Sequence, residues 1–400
     1  MKSVFLRNAI VLGILSAIGP FAIDMYLPAF PTIARDLGAD IGAVQMSLMS
    51  FFLAVAMCQI LYGPISDRVG RKPPIYFGLT LFIIGGIGCS FATSAEALVV
   101  LRFVQGIGAC ASMVITRAII RDLHTGHEAA RLMATTMLVF SISPLLAPLA
   151  GSLLTEFFSW RVIFWALALI GLGGLAVAAF LLPETRTVEA RQASMGQRGV
   201  GQVARTYFSL LKDWRFLGLV FVGGLGQASF FAYLAGSSVV FIEHFGLSPS
   251  AYSLVFATNA IAFIGGAQFN SFLMRRFGAE RVVRTAITIF AVLTTLLLIM
   301  TLAGVDNGFV LWGMLFGAFG CLGLVIPSTA VLALEAHGAN AGTASALMGT
   351  LQLCTGATVI VLVIAFFDGT PMSMVAAIAG CGLTAVTLSW TLLKRRRSYP

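Results

Sequence analysis

The sequence predicts an all-α integral membrane protein of twelve transmembrane helices in two six-helix bundles, on three observations. Of 400 residues, 58% are hydrophobic and only 10% charged, with a mean hydropathy of +0.96, whereas about a quarter of a soluble domain is charged. The apolar residues form runs of roughly 20, the length of a membrane-crossing helix and about twice a ~10-residue barrel strand. The basic residues fall on alternate sides of successive runs. Little chain remains for an extramembrane catalytic domain.

The runs cover 8–30, 44–63, 74–94, 97–120, 132–154 and 161–182 in the first half, then 216–241, 251–272, 282–303, 309–331, 343–366 and 372–393. Lys2 and Arg7 precede the first, as in a signal peptide. The run continues through Gly19, Pro20, Asp24 and Pro28 without a small-residue cleavage site, so it reads as a retained helix. With odd-numbered helices running outward, 22 of the 25 Lys and Arg residues face the cytoplasm, leaving Arg35 and Arg161 outside and Arg102 within a helix. The positive-inside rule then puts both termini in the cytoplasm. Topology accounts for the net charge of +9, and no nucleic-acid partner is needed. All six cysteines lie inside apolar runs and read as packing residues, neither disulfides nor metal ligands.

The longest polar stretch, 183–215, divides a bundle over 1–182 from a bundle over 216–400 and has the composition of a flexible cytoplasmic linker. A shift of 208 residues lays Arg68-Val69-Gly70 on Arg276-Phe277-Gly278, each in the tight loop after the second helix of its half. Two such parallel repeats about an axis along the membrane normal are a known transporter plan.

Of the sixteen acidic residues only Asp24 sits well inside an apolar helix, where a charge costs at least ~2.5–3.5 kcal/mol. Arg102 is its deep basic counterpart. Counting from the helix ends at 1.5 Å per residue puts both roughly 8–9 Å below the outer interface. An apolar setting favours a neutral carboxyl and a nearby guanidinium the charged one. The pair is therefore either a proton-coupling site or a structural salt bridge. Around it, Arg102, Gln105, Ala109, Ser112 and Thr116 share one face of helix four, as a hydrated wall or as interhelical hydrogen bonding. Gln45, Phe52, Gln59 and Gly63 share a face of helix two, and Pro20 is expected to bend helix one just before Asp24.

Between helices two and three the chain reads Gly63-Pro64-Ile65-Ser66-Asp67-Arg68-Val69-Gly70-Arg71-Lys72-Pro73. Asp67 can meet a basic group or a helix N-terminus, Gly63 permits close helix approach and Gly70 a tight turn. This string matches every specified position of the major facilitator loop motif G-x-x-x-D-R-x-G-R-[K/R], and Leu101 to Gly108 is similar to that family's helix-four motif. In helix five, Ser143-Pro144-Leu145-Leu146-Ala147-Pro148-Leu149-Ala150-Gly151-Ser152 partly matches the exporters' motif, with Ser143, Ala147 and Ser152 in place of glycines and Pro144, Pro148 and Gly151 retained. With Ala22 to Pro28, Arg121-Asp122, Trp160-Arg161 and Pro183-Glu184-Thr185, the chain resembles the Bcr/CflA branch of proton-driven drug exporters. The resemblance covers the whole chain. It implies export of amphipathic antibiotics, amphenicols among them, in exchange for protons, by a monomer in a bacterial inner membrane.

The same shift carries Asp24 and Arg102 onto Ala232 and Val310, so proton handling is expected in the first half alone. Substrate contact is expected from Tyr26, Gln59, Gln105 and Ser112 in the first half and Gln227, Phe231, Tyr233, Asn259 and Gln352 in the second, with simple packing as the alternative for the aromatic residues. Asp67, Arg68, Gly70, Arg71 and Lys72 are expected to form a cytoplasmic gate, with Asp67 facing the start of helix eleven near Gly342. A proton-coupled transporter of a small metabolite is the alternative function. An enzyme is not expected: His124, His127 and His337 lie in loops, His244 has only Glu243 beside it, and no hydrolase, metalloprotease or phosphate-loop motif occurs. No cofactor is implied.

Overall fold

The computed structural model describes residues 2–123, 126–187, 200–337 and 341–392. All regular elements among them are helical. The first half holds α1 (Lys2–Asp24), a 3-10 turn (Leu27–Ala29), α2 (Phe30–Leu37), α3 (Ile41–Val69), α4 (Lys72–Ser90), α5 (Ala95–Leu123), α6 (Gly126–Phe157) and α7 (Arg161–Phe180). A helix α8 (Val200–Leu210) follows, then α9 (Trp214–Val239) with a π-helical turn (Val240–His244), α10 (Pro249–Phe277), α11 (Ala279–Leu302), α12 (Gly308–Glu335), α13 (Ala341–Ala365) and α14 (Met372–Leu392). Among the described residues eleven spans are long and apolar enough to cross a membrane, the first being Phe5–Leu37, and α6 adds the shorter apolar stretch Ile142–Phe157.

Two expectations change here. The 183–215 stretch is not wholly a flexible linker, since Val200–Leu210 is helical, while 188–199 lies outside the described residues. The first span does not end at 30. It breaks after Asp24 and resumes as α2 to Leu37. Pro28 supplies the reason: it has no N–H for the carbonyl of Asp24, four residues earlier, and its ring crowds that carbonyl. Pro20, by contrast, is accommodated inside α1. Asp24 is therefore deeper than six residues from the end of its span.

The chain divides into two compact units, Met1–Gln202 with Leu247–Ala257, and Val203–Gly246 with Thr258–Pro400. In the first unit α5 packs between α3 and α4, α4 against α7, and α1 against α6. In the second, α9 packs on α13 and α14, and α11 on α12 and α14. The first span of each half thus meets the fifth, and the third meets both the fourth and the sixth. The loop glycines matched by the sequence repeat, Gly70 and Gly278, both adopt positive φ, 103° and 81°, which only glycine enters without strain. Helix starts follow local chemistry: Asp40 accepts from the N–H of Gly42, Asp213 from those of Arg215 and Phe216, and Asn307 from those of Phe309 and Val310.

Candidate functional site

Asp24 is the last residue of α1 and is 4% exposed. Its carboxyl makes no hydrogen bond or ion pair with any described residue. Arg102, fully buried on α5, binds other partners. Its Nη2 donates to the Ala22 carbonyl at 2.9 Å and its Nη1 to Gln105 Oε1 at 2.5 Å. In an unbroken helix the Ala22 carbonyl would take the N–H of Tyr26, so Arg102 caps the broken end of α1. The guanidinium also lies 4.3 Å from the Tyr26 ring centre, 4.4 Å from that of Phe51 and 5.9 Å from that of Phe164. Cation–π attraction is strongest where water is excluded, as here. The structure thus does not join Asp24 and Arg102 in a salt bridge: the arginine holds the helix end two residues before the carboxyl.

Two of the residues expected to face substrate, Tyr26 and Gln105, contact Arg102 in this structure. Tyr26 is buried, stacks edge-on with Phe30, and has its hydroxyl 3.3 Å from Ser47 Oγ. Gln105 orients Arg102. The helix-four stripe is buried throughout: Ser112 Oγ donates to the Ala109 carbonyl at 2.9 Å and Thr116 Oγ1 to that of Ser112 at 2.6 Å, both within their own helix. Gln59 is half-buried.

In the second unit Asn259 Nδ2 donates to Tyr233 Oη at 3.0 Å, both fully buried. The Tyr233 ring packs edge-on against Phe319 at 5.0 Å, and Phe230 stacks on Phe263 at 5.9 Å. Phe231 lies against Gly356 of α13, and Gln352 lies over Gly223 and Gly224 of α9, which places both in helix packing. Gln227 is half-buried.

The 63–72 segment forms the densest polar cluster. Arg71, 3% exposed, binds Asp122 at the end of α5 through Nε at 2.7 Å and Nη2 at 3.2 Å. Its Nη1 binds Asp67 Oδ1 at 2.8 Å and donates to Ser66 Oγ at 2.7 Å. Burial disfavours the Arg71 charge, but Asp122 and then Asp67 more than reverse this and raise its basicity. Glu184, beyond α7, accepts from the N–H groups of Arg71 at 2.9 Å and Lys72 at 3.1 Å and so caps α4. Thr185 Oγ1 donates to Asp122 at 3.2 Å, and Lys72 Nζ to the Ala179 carbonyl at 3.3 Å. Ends of α3, α4, α5 and α7 are thereby tied together. Gly70 makes the expected turn. Gly63 does not mediate close approach: a side chain there would meet nothing within 4 Å among the described residues. Arg68 is exposed.

On the opposite face, Asp36 accepts from Arg161 Nη1 and from Trp160 Nε1 at 3.0 Å. Pro148, in the helix-five motif, offers its carbonyl to Ser253 Oγ at 3.0 Å within the first unit. Sequence reasoning placed Asp122 and Glu184 only as marks of resemblance and missed Ser66, Phe51 and Phe164 as partners. Apart from the acidic side chains in otherwise basic segments, no local pattern announces them.

A family model described as Major Facilitator Superfamily matches residues 12–357. The chain belongs to that superfamily. It is a multi-pass membrane transporter and not an enzyme. It is 34% identical over 397 residues to a bicyclomycin resistance protein homolog of Haemophilus influenzae, covering 98% of each chain. It is 30% identical over 396 residues to multidrug resistance protein D of Escherichia coli strain K12, covering 98% of this chain and 96% of that one. These relatives agree with the Bcr/CflA resemblance of the loop and helix-five strings. The fold is similar to that of a point mutant of the nucleoside transporter NupG, with a TM-score of 0.75 at 15% identity over 97% of this chain and all of the other.

Proposed function

We propose that this transporter exports amphipathic antibiotics in exchange for protons, and that Asp24 carries the proton. The observation that carries this reading is the Asp24 carboxyl: 4% exposed at the end of α1, without a hydrogen bond or ion pair among the described residues, while Arg102 is engaged by Gln105, the Ala22 carbonyl and three rings. A carboxyl in that setting exists neutral at little cost and can ionise when its surroundings change. A permanent salt bridge would hold it charged. The relatives named for bicyclomycin and multidrug resistance support a drug as the cargo.

In the proposed cycle, substrate entering from the cytoplasm or inner leaflet releases the proton from Asp24, the halves rock, and Asp24 is reprotonated from outside. Asp67, Arg68 and Arg71 belong to the cytoplasmic gate, and both termini face the cytoplasm of a bacterial inner membrane. The aromatic residues around Tyr233 and Asn259 supply the apolar contact surface, and the protein works as a monomer. Cells expressing the protein are expected to accumulate less of a responsive antibiotic, and a protonophore is expected to abolish the difference. A difference that survives the protonophore refutes proton exchange.

A further inference from the structure

The turn that follows Asp24 has an unusual neighbour. In a continuous helix the Met25 carbonyl would accept the N–H of Ala29, but that N–H bonds Tyr26 at 3.0 Å. The Met25 carbonyl instead lies directly on Gly151 of α6. A Cβ at Gly151 would fall on that oxygen and 2.7 Å from the carbonyl carbon, so the backbone would have to yield by more than an ångström. No flexible side-chain end is available to move. Gly174 of α7 differs: it also faces α1, but a Cβ there would meet side-chain ends, Ile18 Cδ1 at 2.7 Å and Leu15 Cδ2 at 3.6 Å.

The break after Asp24 is therefore held from two sides. Arg102 binds the Ala22 carbonyl two residues before Asp24, and α6 closes on the Met25 carbonyl one residue after it. Pro28 frees the chain to break, and these two contacts fix how it lies.

We propose that Gly151 is a positioning residue for Asp24: by letting α6 close on the Met25 carbonyl, it fixes the turn that presents the Asp24 carboxyl. The role rests on the reading of Asp24 as the proton carrier. Gly151 touches neither proton nor substrate. It acts through the backbone that bears the carboxyl, and the titratable or charged groups facing that backbone are Arg102 from α5 and Tyr26 from the turn.

The test needs no substrate. N,N′-dicyclohexylcarbodiimide adds to protonated carboxyls in apolar surroundings, so the extent of labelling at Asp24 against pH, read by mass spectrometry on protein in lipid nanodiscs, gives the midpoint at which that group loses its proton. Gly151→Ala is expected to move the midpoint by more than about half a pH unit, while Gly174→Ala leaves it in place. Should Gly151→Ala not give monodisperse protein, Pro28→Ala disturbs the same turn by offering an N–H to the Asp24 carbonyl and is expected to move the midpoint likewise. An unchanged midpoint in the folded variant, or an equal shift in Gly174→Ala, overturns the positioning role. A separate arm addresses the underlying reading: if Asp24→Asn keeps efflux driven by a pH gradient, Asp24 is not the carrier, whatever the labelling shows.

Discussion

Arg71 lets one substitution series rank the polar contacts of the 63–72 segment. Its guanidinium is shared between Asp122, whose side chain is 15% exposed, and Asp67, whose side chain is 46% exposed. Solvent screening leaves an exposed pair worth about 0–1 kcal/mol, whereas losing one partner of a buried pair costs about 3–5 kcal/mol. Arg71→Ala is expected to cost roughly 3 kcal/mol, since it strips Asp122 of two hydrogen bonds. Asp122→Asn is expected to cost about 1.5–3 kcal/mol, the range for hydrogen bonds to charged groups, and Asp67→Asn under about 1 kcal/mol. For a unit of about 200 residues these correspond to drops in the apparent unfolding midpoint of roughly 6–12 °C, 3–12 °C and less than 4 °C. The protein carries its own reporters: Cys89 and Cys110 are fully buried in the first unit and react with a fluorogenic maleimide once it opens. A drop for Asp67→Asn as large as that for Asp122→Asn would refute the reasoning, because burial would then not be what decides the strength of the two pairs.

Other expectations follow from single contacts. Glu184→Ala removes the cap from α4 and should lower stability by about 1 kcal/mol, read by the same assay. Tyr233→Phe leaves the buried Asn259 amide without its partner and should cost about 1–3 kcal/mol, whereas Tyr252→Phe serves to compare the loss of another fully buried tyrosine hydroxyl. Asp36→Asn weakens the pairing with Arg161, and with the Asp36 side chain 46% exposed it should cost no more than about 1 kcal/mol, read by the same assay.

The helices were legible because lipid demands long apolar runs and internally satisfied backbone, a constraint that leaves few alternatives. Asp24 and Arg102 stood out for the same reason, since a charge at membrane depth is expensive. The break at Asp24 was harder to read. Pro28 lies near the expected helix end, where proline draws little notice, and its effect falls four residues earlier. For Ser112 and Thr116, helical spacing tells which face a hydroxyl occupies and not whether it bonds its own backbone. For Gln105 and Tyr26, spacing alone does not tell that they contact Arg102. Asp122 and Glu184 lie 51 and 113 positions from Arg71 along the chain, and only the packing of α4, α5 and α7 brings them together.

The central claim is that Asp24 couples export to proton flow, and reconstitution measures it most directly. Purified wild type and Asp24→Asn would be placed in proteoliposomes carrying a pH-sensitive dye and an antibiotic that the wild type transports, and the antibiotic and proton fluxes would be followed together under an imposed pH gradient. Coupling through Asp24 predicts that wild type moves antibiotic against its gradient with opposite proton flux, and that Asp24→Asn retains at most downhill antibiotic movement with no linked proton flux. Uphill transport with linked proton movement in Asp24→Asn would contradict it.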